Sequence, residues 1–448
     1  MRFEMKKGLI VLVALFVAVV AVAATVAAQD AAAISGDVRV STWESGDNLQ
    51  YWNNAIAAFE KENPGVKVAL ESVPQDYGTK LLAQFASGSA PDVFQVGDGD
   101  VAKFQSQGVV ESLDPFITGK NGFDLNELYP AVAAFGKIGD STYYLTKDYS
   151  PLVLYFNKEK FDAAGVEVPN AKWTWDDLMN AAMKLTVDAN GKTAGEDGFD
   201  AANVQTWGIW LPDSWGDTAW ERGILPIIYQ NGGSQVSEDG KTTTGFMNSE
   251  ANVAALQWYV DLIKKYHVAP SKTDYSSFSG ADLFATGQVA MMWTGIWPMN
   301  GYITGDSTLT FPFGTNILPA GPKGNANALC WAGFGLYSGS KNKDAAWAFL
   351  KYIAAGEGAK EFAKYALTDV KAIVEEQGLA KDQYKGSVIA DLENVKQIPE
   401  AFTPFWADCG NKYFVQEIST VLEGDVAVKD AMDKAASEAD TCLADKAK

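Results

Sequence analysis

Three short apolar strands separated by two helical patterns constrain this chain more than any other feature. Val38-Arg39-Val40-Ser41-Thr42 alternates as a half-buried strand. Trp52, Ala55, Ile56 and Phe59 then recur at helical spacing, and Asn63-Pro64-Gly65 stops that helix. Val66, Val68 and Leu70 alternate again, a helix is predicted over Tyr77 to Ser87, and Ala90-Pro91-Asp92 leads into the apolar strand Val93-Phe94-Gln95-Val96. A βαβαβ order implies a mostly parallel sheet with helices on its faces. Ligands of such sheets sit beyond the carboxyl ends of the strands. Here those ends carry Trp43, Glu44 and Asp47 after the first strand, and Gly97-Asp98-Gly99-Asp100 after the third.

The first residues read as a processing segment. Arg2, Lys6 and Lys7 give a basic start, Gly8 to Val22 is apolar, and Val26-Ala27-Ala28 offers small residues for cleavage near Gln29. A signal peptide over residues 1–28 is therefore expected, with an uncleaved anchor as the competing reading. No Cys lies near the cleavage region to carry a lipid. Cleavage leaves about 420 residues, more than one core of ordinary size holds, so two lobes are expected.

The formal charge is −20, and losing three basic residues and Glu4 with the leader makes the remainder two units more negative. Such a surface repels nucleic acid and anionic lipid. With one histidine, His267, there is little material for zinc sites or His-based triads, and no metal or cofactor is expected. Gly191-Lys192-Thr193 and Gly240-Lys241-Thr242 lack the upstream Gly of a phosphate loop, and Asp188-Ala189-Asn190-Gly191-Lys192 starts a calcium-like pattern that does not continue. An exported chain can form disulfides, which makes Cys409 and Cys442 a candidate pair and leaves Cys330 as a buried free thiol.

Further along, Leu256, Tyr259, Val260 and Ile263 mark a long helix around Asn252 to Lys265. A helix then strand is read over Gly280 to Trp293, a return crossing at Phe311 to Pro319, and another helix through Ala346, Phe349, Leu350 and Ile353. Helical structure is expected to the C-terminus.

The segment Asp148 to Leu185 resembles the signature of the sugar-binding proteins that serve bacterial ABC importers, in their maltose-binding-protein-like branch. The likeness rests on Tyr155, Phe156, Asn157, Lys158, Phe161, Gly165, Pro169, Thr174, Trp175, Asp176 and Leu178. It is extended by Gly287, Ala290, Met291, Gly295 and Trp297, and loosely by Gly335, Ser338, Ser340, Asn342, Lys343, Ala345 and Ala346. The resemblance implies an α/β, two-lobe periplasmic-binding-protein fold (type II), with hinge-connected lobes that each hold a central, mostly parallel sheet. The N-terminal lobe is expected over 36–147 plus 315–350 and the C-terminal lobe over 148–312 plus 353–448, with hinges near Asp148, Phe311–Pro319 and Tyr352. The implied function is capture of a mono- or oligosaccharide between the lobes and delivery to a membrane-embedded permease, outside the cytoplasm, by a monomer that is not an enzyme. A secreted glycoside-active enzyme, or the same fold binding a polyol or another small solute, remains the alternative.

Fourteen tryptophans fit a sugar, whose apolar ring face matches an indole while its hydroxyls need carboxylates and amides. Trp52, Trp258, Trp347, Trp175 and Trp293 read as structural. Trp43, Glu44 and Asp47, and Asp98 and Asp100, are ligand candidates from the strand-end rule, the latter pair against a solvated Gly-rich turn. The resemblance adds Asp148 and Tyr149 at the hinge, Trp220 and Arg222, Trp297 as the stacking position, Trp331 with Gly333, and Trp406, which fits a platform and equally a core residue.

Overall fold

The computed structural model describes residues 34–211, 219–278 and 282–447. The expected leader lies outside the described residues. The opening βαβαβ run folds as its pattern requires. Strands β1 (Gly36–Thr42), β2 (Val66–Ser72) and β3 (Val93–Gly97) alternate with helices α1 (Leu49–Glu62) and α2 (Tyr77–Ser87). β1 pairs in parallel with both neighbours, Val38 opposite Val68 and Val40 opposite Val93. Trp52, Ala55 and Phe59 form the buried stripe of α1, and the Asn63 amide donates to the Phe59 carbonyl where the helix ends.

β4 (Tyr144–Pro151) and β5 (Val153–Asn157) are separated by Leu152 alone, yet they belong to different sheets. The second sheet continues with β6 (Val187–Asp188), β7 (Val204–Trp210), β8 (Val289–Thr294) and β9 (Phe313–Asn316). The chain then returns to the first sheet with β10 (Asn327–Leu336) and β11 (Val395–Lys396). Among the described residues the first sheet runs β11-β10-β3-β1-β2, with β4 also on β10, and the second runs β9-β5-β8-β7-β6. Both are mixed. In the second sheet only β7 with β8 is parallel, so the expected mostly parallel order does not extend to it. The physical reason is the crossings: strands that leave and re-enter a sheet pair against the grain of the βαβ units.

The crossings fall later than the sequence reading placed them. β4 keeps its pairing with β10 through Pro151, so the first lobe does not end at 147. Phe313–Asn316 pairs antiparallel with β5, with the Phe313 ring stacked 4.5 Å from that of Tyr384, so the return crossing lies between Asn316 and Asn327, overlapping only the end of the expected Phe311–Pro319.

Thr174 caps α3 (Trp175–Leu185) through a reciprocal box with Asp177. Helices α4 (Glu221–Gln230), α5 (Glu250–Lys264) and α6 (Lys343–Ala355) follow. Within the expected helix before β8, residues 280 and 281 lie outside the described residues. Asp282 turns the chain instead, its Oδ1 accepting from the amides of Phe284 and Ala285 at 3.1 and 2.9 Å. The C-terminal region divides. Phe362 packs edge-on to Trp52 at 5.1 Å in the first core, so the stretch 353–448 does not all join the second lobe as expected, while Phe414, Ile418 and Met432 do. No helix among the described residues is long and apolar enough to cross a membrane.

A disulfide joins Cys409 to Cys442, 33 positions apart, and ties α8 (Val428–Lys446), which follows α7 (Lys412–Glu423), to the turn after Trp406. Cys330 is free and partly buried. Closing a loop of this length restricts the unfolded chain by about 3–4 kcal/mol. Urea unfolding of Cys409→Ser/Cys442→Ser is expected to show a loss of that order, and an unchanged midpoint would contradict it.

Candidate functional site

The strand ends of the first sheet build one side of the site. Thr42 closes β1, and its hydroxyl accepts from the Glu44 amide at 3.0 Å while donating to the Gln95 side chain. Trp43, half-buried, meets the Tyr77 ring edge-on with centroids 5.5 Å apart. Tyr77 is fixed in turn by donating to the Gln95 carbonyl at 2.8 Å. Gly97 leaves the gap beside the Trp43 ring; a Cβ there would lie 3.9 Å from it. Asp47 is exposed on the following turn.

Lys147, buried in β4, ion-pairs with Glu44 at 3.0 Å and with Asp148. Burial works against its charge, yet Asp148, the Tyr365 hydroxyl and Glu44 raise its pKa well above the ordinary ammonium value. Burial likewise works against Glu44, and Lys147 overrides it, leaving that carboxyl below its usual range.

Arg222, in the first turn of α4, ties together four parts of the chain. Its guanidinium pairs with Asp98 after β3, with Glu400 at 3.1 Å, and reaches the Leu329 carbonyl of β10. Asp98 also accepts from the Trp331 amide at 2.9 Å. Glu221 lies against Glu400, and burial with the neighbouring carboxyl pushes Glu221 well up; burial raises Glu400 too, against the pull of Arg222. Asp100 is raised by burial and by the carboxylates of Asp408 and Asp98, with Lys103 opposing.

From the second sheet come Trp220, before α4, and Trp297, after β8. Their rings meet at 5.8 Å and 70°. Trp297 is 38% exposed, the most open indole among the large exposed apolar side chains. It folds back over Gly295, where any Cβ would strike the ring at 1.9 Å.

The structure thus brings together Glu44 and Asp148 through Lys147, with Trp43 next to Glu44 in the chain, Asp98 with Arg222, and Trp220 with Trp297. Of the others, Asp47 is exposed and Asp100 half-buried. Tyr149, Trp331 and Trp406, expected against a ligand, are buried in the core, which for Trp406 is the core alternative already open in the sequence. Trp331 donates to Thr146 at 3.2 Å and lies across Gly333, whose missing side chain makes room for this indole and not for a solute. Trp406 is 1% exposed and donates to both oxygens of Glu221 at 3.2 Å. Trp52, Trp293 and Trp347 are buried as read, and Trp258 stacks on Trp175 at 4.1 Å. Asp188 spends both carboxylate oxygens on backbone amides of its own loop, so the calcium-like pattern is a turn.

Sequence reasoning missed Lys147, Glu400, Tyr77 and Gln95. Lys147 carried one signal, a cation inside a strand that is otherwise buried. Glu400 carried none, because its partner Arg222 lies far away in the chain.

The sequence profile described as bacterial extracellular solute-binding protein matches residues 43–373. The chain belongs to this family. The solute-binding protein is 25% identical over 354 residues to the arabinooligosaccharide-binding protein of Halalkalibacterium halodurans, covering 73% of this chain and 70% of that one. Its fold superposes with a TM-score of 0.77 on an ABC substrate-binding protein of Listeria monocytogenes solved with cycloalternan, at 27% identity over 92% of this chain and 99% of the other. The sugar-binding protein MalE of Xanthomonas citri shares the fold at a TM-score of 0.75 and 20% identity, over 92% and 98% of the two chains. Membership bears out the periplasmic-binding-protein fold and a binding, non-enzymatic role.

Asp369, buried beside the crossing strands, accepts from the Thr146 hydroxyl at 2.7 Å through one oxygen. Burial pushes its carboxyl up to about 7. A raised carboxyl holds its proton better in the folded state. Its contribution is therefore complete below the unfolded value near 4 and lost as pH rises to about 7. Asp369→Asn is expected to gain stability over the parent at pH 8, on the order of 4 kcal/mol at most, and nothing at pH 4. Parallel unfolding curves at both pH values would contradict this.

Proposed function

We propose that this protein captures a neutral, hydroxyl-rich solute, a sugar or short oligosaccharide, between two lobes and delivers it to the membrane-embedded permease of an ABC transporter. The observation that carries the reading is the presence of two kinds of surface. The exposed indole of Trp297 and the half-buried one of Trp43 offer flat apolar faces, while Glu44 and Asp148 at the strand ends of the first sheet supply hydroxyl acceptors.

The charge balance supports a neutral ligand. Arg222 and Lys147 are each matched by two carboxylates, so neither is left to meet a phosphate. The relatives named above bind arabinooligosaccharide and cycloalternan, which agrees with this choice. In this reading the first lobe gathers the strands of the six-stranded sheet and the second those of the five-stranded sheet. They turn about Leu152 and the stretch between Asn316 and Asn327. The leader is removed near Gln29, and the mature monomer works outside the cytoplasm. A ligand that touches both lobes favours their closure by its differential affinity for the closed form.

Titration calorimetry against maltotriose, arabinotriose, free hexoses and glycerol phosphate tests the assignment. Binding of at least one neutral saccharide is expected, with Trp297→Ala weakening it about tenfold, or roughly 1.4 kcal/mol. Binding of glycerol phosphate alone, or of no saccharide, would overturn it.

A further inference from the structure

Lys147 occupies an unusual place in its strand. Opposite it, β10 pairs Ala332 with Asp148 and Gly333 with Thr146, so Lys147 is the extra residue of a β-bulge. Successive side chains of a regular strand point to opposite faces. The bulge removes that alternation, and the Lys147 ammonium bonds its own neighbour Asp148. The same ammonium reaches Glu44, which arrives from the end of β1. Phe362 and Tyr365 cover it, their ring centroids 5.4 and 5.3 Å from Nζ, and Tyr365 is backed by a stacked Tyr51 at 4.7 Å.

A cation this buried costs several kcal/mol unless its partners are placed well. A bulge, an aromatic cover and two carboxylates from separate strands are more than a strand needs to hold its register. We propose that Lys147 is a positioning and specificity residue: it fixes Glu44 and Asp148 as a pair of ionised hydrogen-bond acceptors facing the solute. Both carboxylates then accept only, so this face admits hydroxyl donors and repels anionic solutes. The inference rests on the sugar reading above, but its first test does not.

The charged and titratable groups facing the cluster are Lys147, Glu44, Asp148 and the Tyr365 hydroxyl, with the neutral amides Asn48 and Gln95 on Glu44. Without the ammonium, burial, the largest influence on Glu44, is opposed only by the amides of Asn48 and Gln95, and its titration moves up. The experiment follows the Glu44 side-chain carboxyl by carbon-13 NMR against pH in the full mature chain, as parent, Lys147→Met and Lys147→Arg. The parent is expected to titrate below the ordinary carboxylate range, Lys147→Arg to stay close to it, and Lys147→Met to rise by about one pH unit or more. With maltotriose as probe, Lys147→Met is expected to weaken binding about tenfold near neutral pH and to make affinity fall at mildly acid pH, where the parent is flat. An unshifted Glu44 in Lys147→Met overturns the proposal. Should Lys147→Met not fold, a parent Glu44 that titrates in or above the ordinary range overturns it equally. If the parent binds none of the saccharides named above while the titrations behave as stated, the sugar reading fails and the role of Lys147 stands.

Discussion

The whole architecture depends on how one residue is held. Leu152 stands between β4 of the first sheet and β5 of the second, with no strand partner of its own. Its backbone groups are bonded by a side chain instead: the Leu152 amide donates to Asn327 Oδ1 at 3.2 Å, and Asn327 Nδ2 donates to the Leu152 carbonyl at 2.8 Å. Asn327 opens β10, where the return crossing re-enters the first sheet. These two crossings are therefore fastened at a single point, while the chain passes once more to the second core after β11. An amide side chain satisfies a buried peptide without adding a ladder, which leaves the torsions on either side able to turn.

Around that point the protein arranges buried charge with care. Lys147 ties β4 to the loop after β1 within the first sheet, and Arg222 ties α4 to the first sheet and to Glu400. Arg222 gathers Asp98, Leu329 and Glu400, and Lys147 gathers Glu44 and Asp148. Removing one partner of such a cluster costs more than the cluster contributes, because it strands the remainder in a low dielectric. The same economy shapes what a solute meets. In the proposed reading it finds carboxylates held by Lys147 on one edge and indoles on the other, a surface suited to hydroxyls and ring faces.

The architecture was largely legible in the chain because local rules govern it. Alternation gave β1 to β3, the Thr174 cap gave the start of α3, and the stop at Asn63-Pro64-Gly65 gave the end of α1. The site was less so. Trp43, Asp98 and Trp297 follow strands, as the pattern of strand ends expects. No such rule places Trp331 and Trp406, since an indole in a cleft and an indole in a core look alike until their neighbours are known. The mates of Trp406 and Arg222, Glu221 and Glu400, lie 185 and 178 positions away. No local pattern carries such pairings. The lobe boundaries slipped for a related reason: β4 and β9 are strands that look the same whichever sheet they join.

Hydrogen exchange with and without saturating maltotriose addresses the central claim most directly, because it reports on both halves of the site at once. The account predicts slowed exchange at residues 43–48 and 98–101 of one half together with 219–222 and 295–298 of the other. Protection confined to a single half, or spread without regard to these loops, would contradict capture of the solute between two lobes.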